Sequence, residues 1–207
     1  MTKLLSNLIL ITAMLAAQSC AATSPTDRAA CPTKSADDYY FASNAIDQTD
    51  KRSDMFVRHW YSKHLAAMGE PSISCGQPGE VYRFTWLRTF HHPVVVRAND
   101  KGNHAIVQAI ELDGAGGYEP GRVLRRTEKT LSIDELKELK SVFSDGHFGS
   151  MPTSEERDGL DGSEWIVETS DKGKYHLVVR WSPDSGPIRD IGSRFLSLTG
   201  WTFDEVY

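Results

Sequence analysis

Residues 80–112 read EVYRFTWLRTFHHPVVVRANDKGNHAIVQAIEL, three runs rich in β-branched and aromatic residues. The hydrophobic period in these runs is two, and two short polar stretches, residues 91–93 (HHP) and 99–103 (NDKGN), separate them. Alternation bounded by turn-forming residues is typical of β-strands joined by short loops. We therefore expect three successive strands here, and the remaining elements are placed around them.

Three more strands are predicted further along the chain. A fourth is expected within residues 121–131 (GRVLRRTEKTL), after the glycine-rich loop DGAGGYEPG at 113–121. The last two form a hairpin within residues 164–183 (EWIVETSDKGKYHLVVRWSP). The spacing of the loop is not that of a phosphate-binding P-loop, so we expect a mobile surface loop.

Helices are predicted before, between and after the strands. Apolar residues at helical spacing in 54–69 end at Gly69, which is placed to terminate a helix. Ser132 and Glu135 form a capping box for a second helix, and a third begins near Pro187. This order predicts an α+β fold, an antiparallel sheet of about six strands with helices packed on it, in a single domain over 37–207.

The hairpin contains the candidate site, and its location depends on the register of the strands. A three-residue turn at 171–173 with Gly173 as a bulge residue sets Glu164 opposite Arg180 and Glu168 opposite His176. A two-residue turn at 172–173 instead sets Trp165 opposite Arg180 and mixes apolar and charged positions on both faces. We therefore favour the three-residue turn, with the odd-numbered face in the core.

Under that register the even-numbered face is either the solvated side of the sheet or a groove. The candidate groove residues are Asp161, Glu164, Glu168, His176 and Arg180. Glu168 beside His176 has the chemistry of an acid/base pair, and Arg180 that of an anion holder. No nucleophile motif accompanies them, which favours binding over catalysis.

The first 22 residues have the layout of a secretory signal. Lys3 precedes an apolar or small run over residues 8–17, which is too short to span a bilayer as a helix. Two cleavage sites remain open. Residues 17–20 (AQSC) are similar to a lipoprotein box that would lipidate Cys20, and an ordinary signal peptidase would cut after Ala22. Residues 23–36 are predicted to be a flexible linker.

Either cleavage leaves Cys31 and Cys75 in the folded part of the chain. An even pair of cysteines in an oxidising compartment predicts a disulfide. Neither belongs to a CxxC motif, so the sequence predicts no metal site, and it predicts no cofactor.

Composition restricts the class of partner. The chain carries 23 Lys and Arg against 28 Asp and Glu, a formal net charge of −5. This balance argues against nucleic acid, which normally requires a basic footprint. We expect membrane attachment only through a lipid on Cys20, and a location in the periplasm or on a membrane of a bacterial envelope.

Four stretches in the second half of the chain resemble a family of bacterial envelope proteins with no known activity. They are DGAGGYEPG at 113–121, FGSMPT at 148–153, DGLDGSEWIVE at 158–168 and YHLVVRWSP at 175–183. The resemblance implies an envelope location and no specific reaction.

Two functional hypotheses follow from the sequence. The first is a non-enzymatic envelope protein that binds a partner protein or a small ligand through the polar hairpin face and the loop at 113–121. The alternative is a hydrolase of an envelope polymer, with Glu168 and His176 as acid and base.

Overall fold

The computed structural model describes residues 40–75, 79–155, 159 and 161–207. The predicted signal (1–22), the linker (23–36), Cys20 and Cys31 lie outside these residues. The lipidation and the disulfide to Cys75 therefore stay predictions. Within the described parts of the chain, no helix combines the length and apolar character needed to cross a membrane.

The strands form one six-stranded antiparallel sheet. They are β1 (Val81–Arg88), β2 (Val94–Asp100), β3 (Ala105–Leu112), β4 (Val123–Leu131), β5 (Ser163–Asp171) and β6 (Lys174–Trp181). Their order across the sheet is β4-β3-β2-β1-β5-β6, so β1 pairs with its sequence neighbour β2 and with the distant β5. The predicted α+β fold with about six antiparallel strands is confirmed.

Three helices pack on this sheet: α1 (Lys51–Met68), α2 (Ile133–Asp145) and α3 (Pro187–Thr199). Asp50 caps the start of α1, and Gly69 ends it in the left-handed conformation that glycine adopts without strain. Ser132 and Glu135 form the predicted capping box of α2, and Pro187 is the first residue of α3.

Both faces of the sheet are buried at its central strands, whereas the edge strand β4 is largely exposed. Helices α2 and α3 cover the face that carries Phe84, Trp86 and Trp165, and Phe195 of α3 stacks on Phe84. Helix α1 covers the opposite face, where Leu65 packs with Leu87 and Ile166. The expectation of one core face and one solvated face in the hairpin is therefore wrong, because a helix covers each side.

The predicted register of the hairpin is also wrong, by one residue. Trp165 pairs with Arg180 and Glu168 with Leu177, so the turn consists of Lys172 and Gly173 alone. Both turn residues have positive φ, at 46° and 84°. Positive φ at both central residues is the requirement of the type I′ turn, whose twist matches that of the strands. Turn geometry therefore determined the register, whereas we had assigned it from charge pairing.

Candidate functional site

The structure separates the five predicted site residues. Glu164 and Glu168 lie on the sheet face covered by α1, whereas His176 and Arg180 lie on the face covered by α2 and α3. The sheet therefore stands between Glu168 and His176, and the predicted acid/base pair does not form. Asp161 precedes β5 and is exposed at the end of the sheet.

Glu168 is fully buried and has a different partner from the one we predicted. It lies opposite Arg83 of β1, whose Nε and Nη2 donate hydrogen bonds of 2.7 and 2.8 Å to the two carboxylate oxygens. The Tyr175 hydroxyl donates a third, of 2.8 Å, to Oε1. These bonds satisfy both oxygens of the carboxylate and leave it a structural rather than a reactive group.

The ion pair continues into a larger buried cluster on the α1 side. Glu70 lies 3.5 Å from Nη1 of Arg83 and accepts a 2.8 Å hydrogen bond from Nε of Arg97. Burial works to lower the pKa of Arg83, but the charges of Glu168 and Glu70 and the hydrogen bond to Glu168 outweigh it and raise the pKa overall. Two arginines and two glutamates thus form a charge-balanced group inside the protein.

The Tyr175 phenol lies in the same cluster, beside Glu168. Burial raises the pKa of its phenol well above the ordinary value, and the negative charge of Glu168 raises it further. The phenol therefore stays protonated and serves Glu168 as a hydrogen-bond donor.

The other hairpin residues are also held by the fold. The Arg180 guanidinium donates to the carbonyl oxygens of Pro152 and Thr153 and pairs with Glu155 at 2.8 Å. Burial lowers the pKa of Arg180, and Glu155 opposes that effect. Arg180 thus fastens residues 152–155 to the edge strand β6.

His176 and Glu164 are placed by packing. The His176 ring lies edge-on to Phe148 with centroids 5.0 Å apart. Glu164 is fully buried beside a small cavity of about 110 Å³ that Val57 and Tyr61 of α1 also line. The cavity beside Glu164 is smaller than the roughly 300 Å³ at which ligand pockets commonly begin.

An open groove lies instead between α1 and the loop 113–121, and we call it the aromatic groove. It encloses about 570 Å³. It is lined by Phe56, His59, Trp60, Lys63, Thr89, Gly117, Tyr118, Glu119, Gly159, Asp161 and Trp181. Asp161 is the one predicted site residue that it contains.

Two aromatic side chains that line the groove, one from α1 and one from the loop, are unusually exposed. Phe56 of α1 keeps 68% of its surface open, and Tyr118 of the loop keeps 58%. Trp60 and Trp181 are partly buried and complete the apolar lining. Exposed aromatic rings gathered in one concave place are typical of an interaction site.

The loop that forms one wall is anchored, contrary to the mobile loop that we expected. The amides of Gly116 and Gly117 donate to the carbonyl oxygens of His91 and Thr89, at 3.0 and 3.1 Å. From the other side, Trp60 Nε1 donates a 2.6 Å hydrogen bond to the Gly116 carbonyl. The glycines allow close approach to the β1–β2 turn and fix the position of Tyr118.

His64 supports the same loop from inside. It is fully buried, with Nδ1 2.9 Å from the Trp60 carbonyl and Nε2 3.3 Å from the Ala115 carbonyl. Burial lowers the pKa of His64, which favours the neutral ring. His64 thus adds to the contact that Trp60 makes between α1 and the loop.

The charges in the groove are simple. Lys63 pairs with Glu119 at 3.2 Å across the opening. Asp161 makes no hydrogen bond or ion pair with any residue that the structure describes. Among the lining carboxylates, Glu119 is thus compensated by Lys63, whereas Asp161 has no cationic partner in the described part of the chain.

A second groove, of about 530 Å³, lies beyond the Phe90 and Tyr118 ring pair. Its central carboxylate, Glu111, is buried, bonded to Arg125 and 3.4 Å from His92. Arg125 in turn lies 4.3 Å over the Trp201 ring. The principal charges of this groove are engaged with each other, so it offers less to a ligand than the aromatic groove does.

Among the described residues, no group of three or more His, Cys, Asp or Glu side chains is arranged to hold a metal ion. No protein-family model matches the chain, and no curated protein matches it. The resemblance to bacterial envelope proteins thus stays a prediction.

Most residues of the aromatic groove were missed from the sequence. Phe56 is an aromatic residue beside the buried stripe of α1 rather than within it, and Tyr118 is an aromatic residue among glycines. Those two anomalies were the available signals. No signal in the sequence pointed to Trp181, because the sheet face on which its side chain lies depends on the register of the hairpin.

Proposed function

We propose that the protein is a non-enzymatic ligand-binding protein of a bacterial envelope and that its ligand occupies the aromatic groove. The predicted export signal supports the location. The size of the groove supports a small ligand rather than a protein surface, since ligand pockets commonly measure about 300–1,000 Å³.

The observation that carries this proposal is the exposure of Phe56 and Tyr118, from two different elements, in the lining of one groove. Burying apolar surface stabilises a protein or complex by about 25 cal/mol per Å². The exposed rings of Phe56 and Tyr118 do not contribute this free energy in the unliganded protein. A ligand that covers both rings recovers that free energy.

The anchored walls also support binding. Hydrogen bonds hold the loop 113–121 to the β1–β2 connection and to α1, so Tyr118 does not have to be ordered when a ligand arrives. A site whose walls are already fixed loses less conformational entropy on binding.

The hydrolase alternative has lost its predicted acid/base pair. Glu168 is bonded on both oxygens by Arg83 and Tyr175, and His176 lies on the other side of the sheet. The other carboxylate–histidine pair described above, Glu111 and His92 in the second groove, is engaged with Arg125. Binding is therefore the function that we favour.

A ligand screen tests the proposal. The purified mature chain is screened by thermal shift against envelope building blocks: amino sugars and disaccharides, short peptides, polyamines and lipid headgroup alcohols and amines. At least one class is expected to raise the melting temperature, because a ligand that binds the folded state stabilises it.

Matched variants connect the screen to the groove. Phe56→Ala and Tyr118→Ala are expected to abolish the shift. Met55→Ala is expected to retain it, because Met55 is equally exposed on the same helix, at 59%, but does not line the groove. A panel with no binder, or a binder that tolerates both aromatic substitutions, would contradict the proposal.

A further inference from the structure

We propose that the ligand of the aromatic groove is a small organic cation, an alkylated or primary ammonium group. This inference rests on the proposed function and adds the chemical class of the ligand. It is carried by the ring faces of Phe56 and Tyr118 together with the carboxylate of Asp161, which has no charged partner among the described residues.

Aromatic rings attract cations because their faces carry negative electrostatic potential. The protein uses this attraction internally, with Arg88 4.0 Å over Trp86 and Arg189 4.9 Å over Trp165. No cationic side chain among the described residues lies over the rings of Phe56 or Tyr118. Those two rings are therefore available to a cation from outside.

The charge of the groove favours the same class of ligand. Asp161 is exposed and has no counter-ion in the described structure, whereas Lys63 is paired with Glu119. An ammonium group in the groove gains the attraction of Asp161 without displacing an existing ion pair. An anion gains no such attraction, since it must compete with Glu119 for Lys63 and is repelled by Asp161.

A neutral ligand such as a sugar can stack on the rings, but it does not compensate the charge of Asp161. A cation and a neutral ligand of the same shape therefore test whether the groove selects for positive charge. Choline and 3,3-dimethyl-1-butanol form such a pair, because a carbon atom replaces the charged nitrogen.

The experiment is a titration of the folded mature chain with choline, with 3,3-dimethyl-1-butanol and with 1,5-diaminopentane, followed by calorimetry and by NMR of the indole N–H signals. At least one of the two cations is expected to bind, about tenfold or more tighter than the neutral alcohol. Added salt is expected to weaken cation binding, because it screens Asp161.

Variants test whether cation binding depends on the charge of Asp161 and on the ring of Phe56. Asp161→Asn keeps the shape and removes the charge, and it is expected to weaken cation binding about five- to tenfold while leaving the alcohol unaffected. Asp184→Asn is the matched control, because Asp184 is also exposed but does not line the groove, and it is expected to change nothing. Phe56→Ala is expected to weaken cation binding, whereas Met55→Ala is not.

The outcomes separate the two proposals. If the alcohol binds as tightly as choline, or if neither cation binds while a disaccharide binds and depends on Phe56, the cation class is overturned and the binding function stands. If neither these probes nor the wider panel binds, both proposals fail. Cation binding that is weakened in Asp161→Asn and unchanged in Asp184→Asn supports both.

Discussion

Arg83 and Glu168 face each other across β1 and β5 with no surface exposed to solvent. Removing two charges from water is costly, and the cost is offset here by two direct hydrogen bonds, by Tyr175 and by Glu70. Such a pair contributes little net stability compared with an apolar replacement, but losing one partner strands a charge in the core.

We predict that Glu168→Leu lowers the free energy of unfolding by about 3–5 kcal/mol, because it leaves Arg83 without its nearest counter-ion. The double variant Arg83→Met/Glu168→Leu is expected to lose clearly less free energy of unfolding than the two single variants lose together. Urea unfolding of all four chains of this cycle measures the coupling. Strictly additive losses would contradict a specific pair between the two side chains.

Among the elements, the loop 113–121 has the greatest effect on the candidate site. It folds back on itself through hydrogen bonds of the Gly114 and Ala115 amides to Pro120 and Glu119, and it packs on β1 through Gly116. A β-carbon built on Gly116 lies 2.5 Å from the Arg88 nitrogen and 2.6 Å from the Arg88 carbonyl oxygen. Both are backbone atoms of a central strand, so the loop must move instead.

We predict that Gly116→Ala destabilises the protein by about 1–3 kcal/mol and weakens ligand binding in the aromatic groove, because it pushes the loop and Tyr118 away from β1. The control is Gly149→Ala, where an added β-carbon meets nothing within 4 Å. Thermal unfolding measures the first effect and ligand titration the second. Equal stability of the two variants would show that the loop is not held against β1 in solution.

At the scale of the whole molecule, the sheet has a helical layer on each side, and the aromatic groove lies where α1, the loop 113–121 and the chain before β5 come together. Three segments far apart in sequence thus form one site. The predicted export signal sets the compartment in which that site meets its ligand, and the predicted disulfide is expected because that compartment is oxidising.

We predict that the native protein has lost its first residues and carries a disulfide between Cys31 and Cys75. Intact-mass spectrometry of membrane and soluble fractions measures both, with and without reduction and alkylation. A lipid addition on Cys20 is expected if the lipoprotein box is used, and a chain beginning at Thr23 otherwise. A full-length chain whose three cysteines are all alkylated without reduction would contradict export.

The sequence by itself determined the number, order and type of the elements. Strand periodicity, the capping box at Ser132, Gly69 and Pro187 act locally, within a few residues, so they can be read without knowing the fold. It also supplied Asp161 as a candidate residue, which lies in the lining of the aromatic groove. The register of the hairpin was within reach, because Lys172-Gly173 is a two-residue turn, but charge complementarity favoured the wrong alternative.

Only the tertiary structure decided what the polar residues do. Glu168 is paired by Arg83 because β5 lies beside β1, a contact between residues 85 positions apart that no local pattern specifies. The aromatic groove exists because α1 and the loop 113–121 meet at the end of the sheet, through the Trp60 and Gly116 hydrogen bond. Local chemistry fixes elements, whereas the burial of a charge and the shape of a site depend on which distant elements become neighbours.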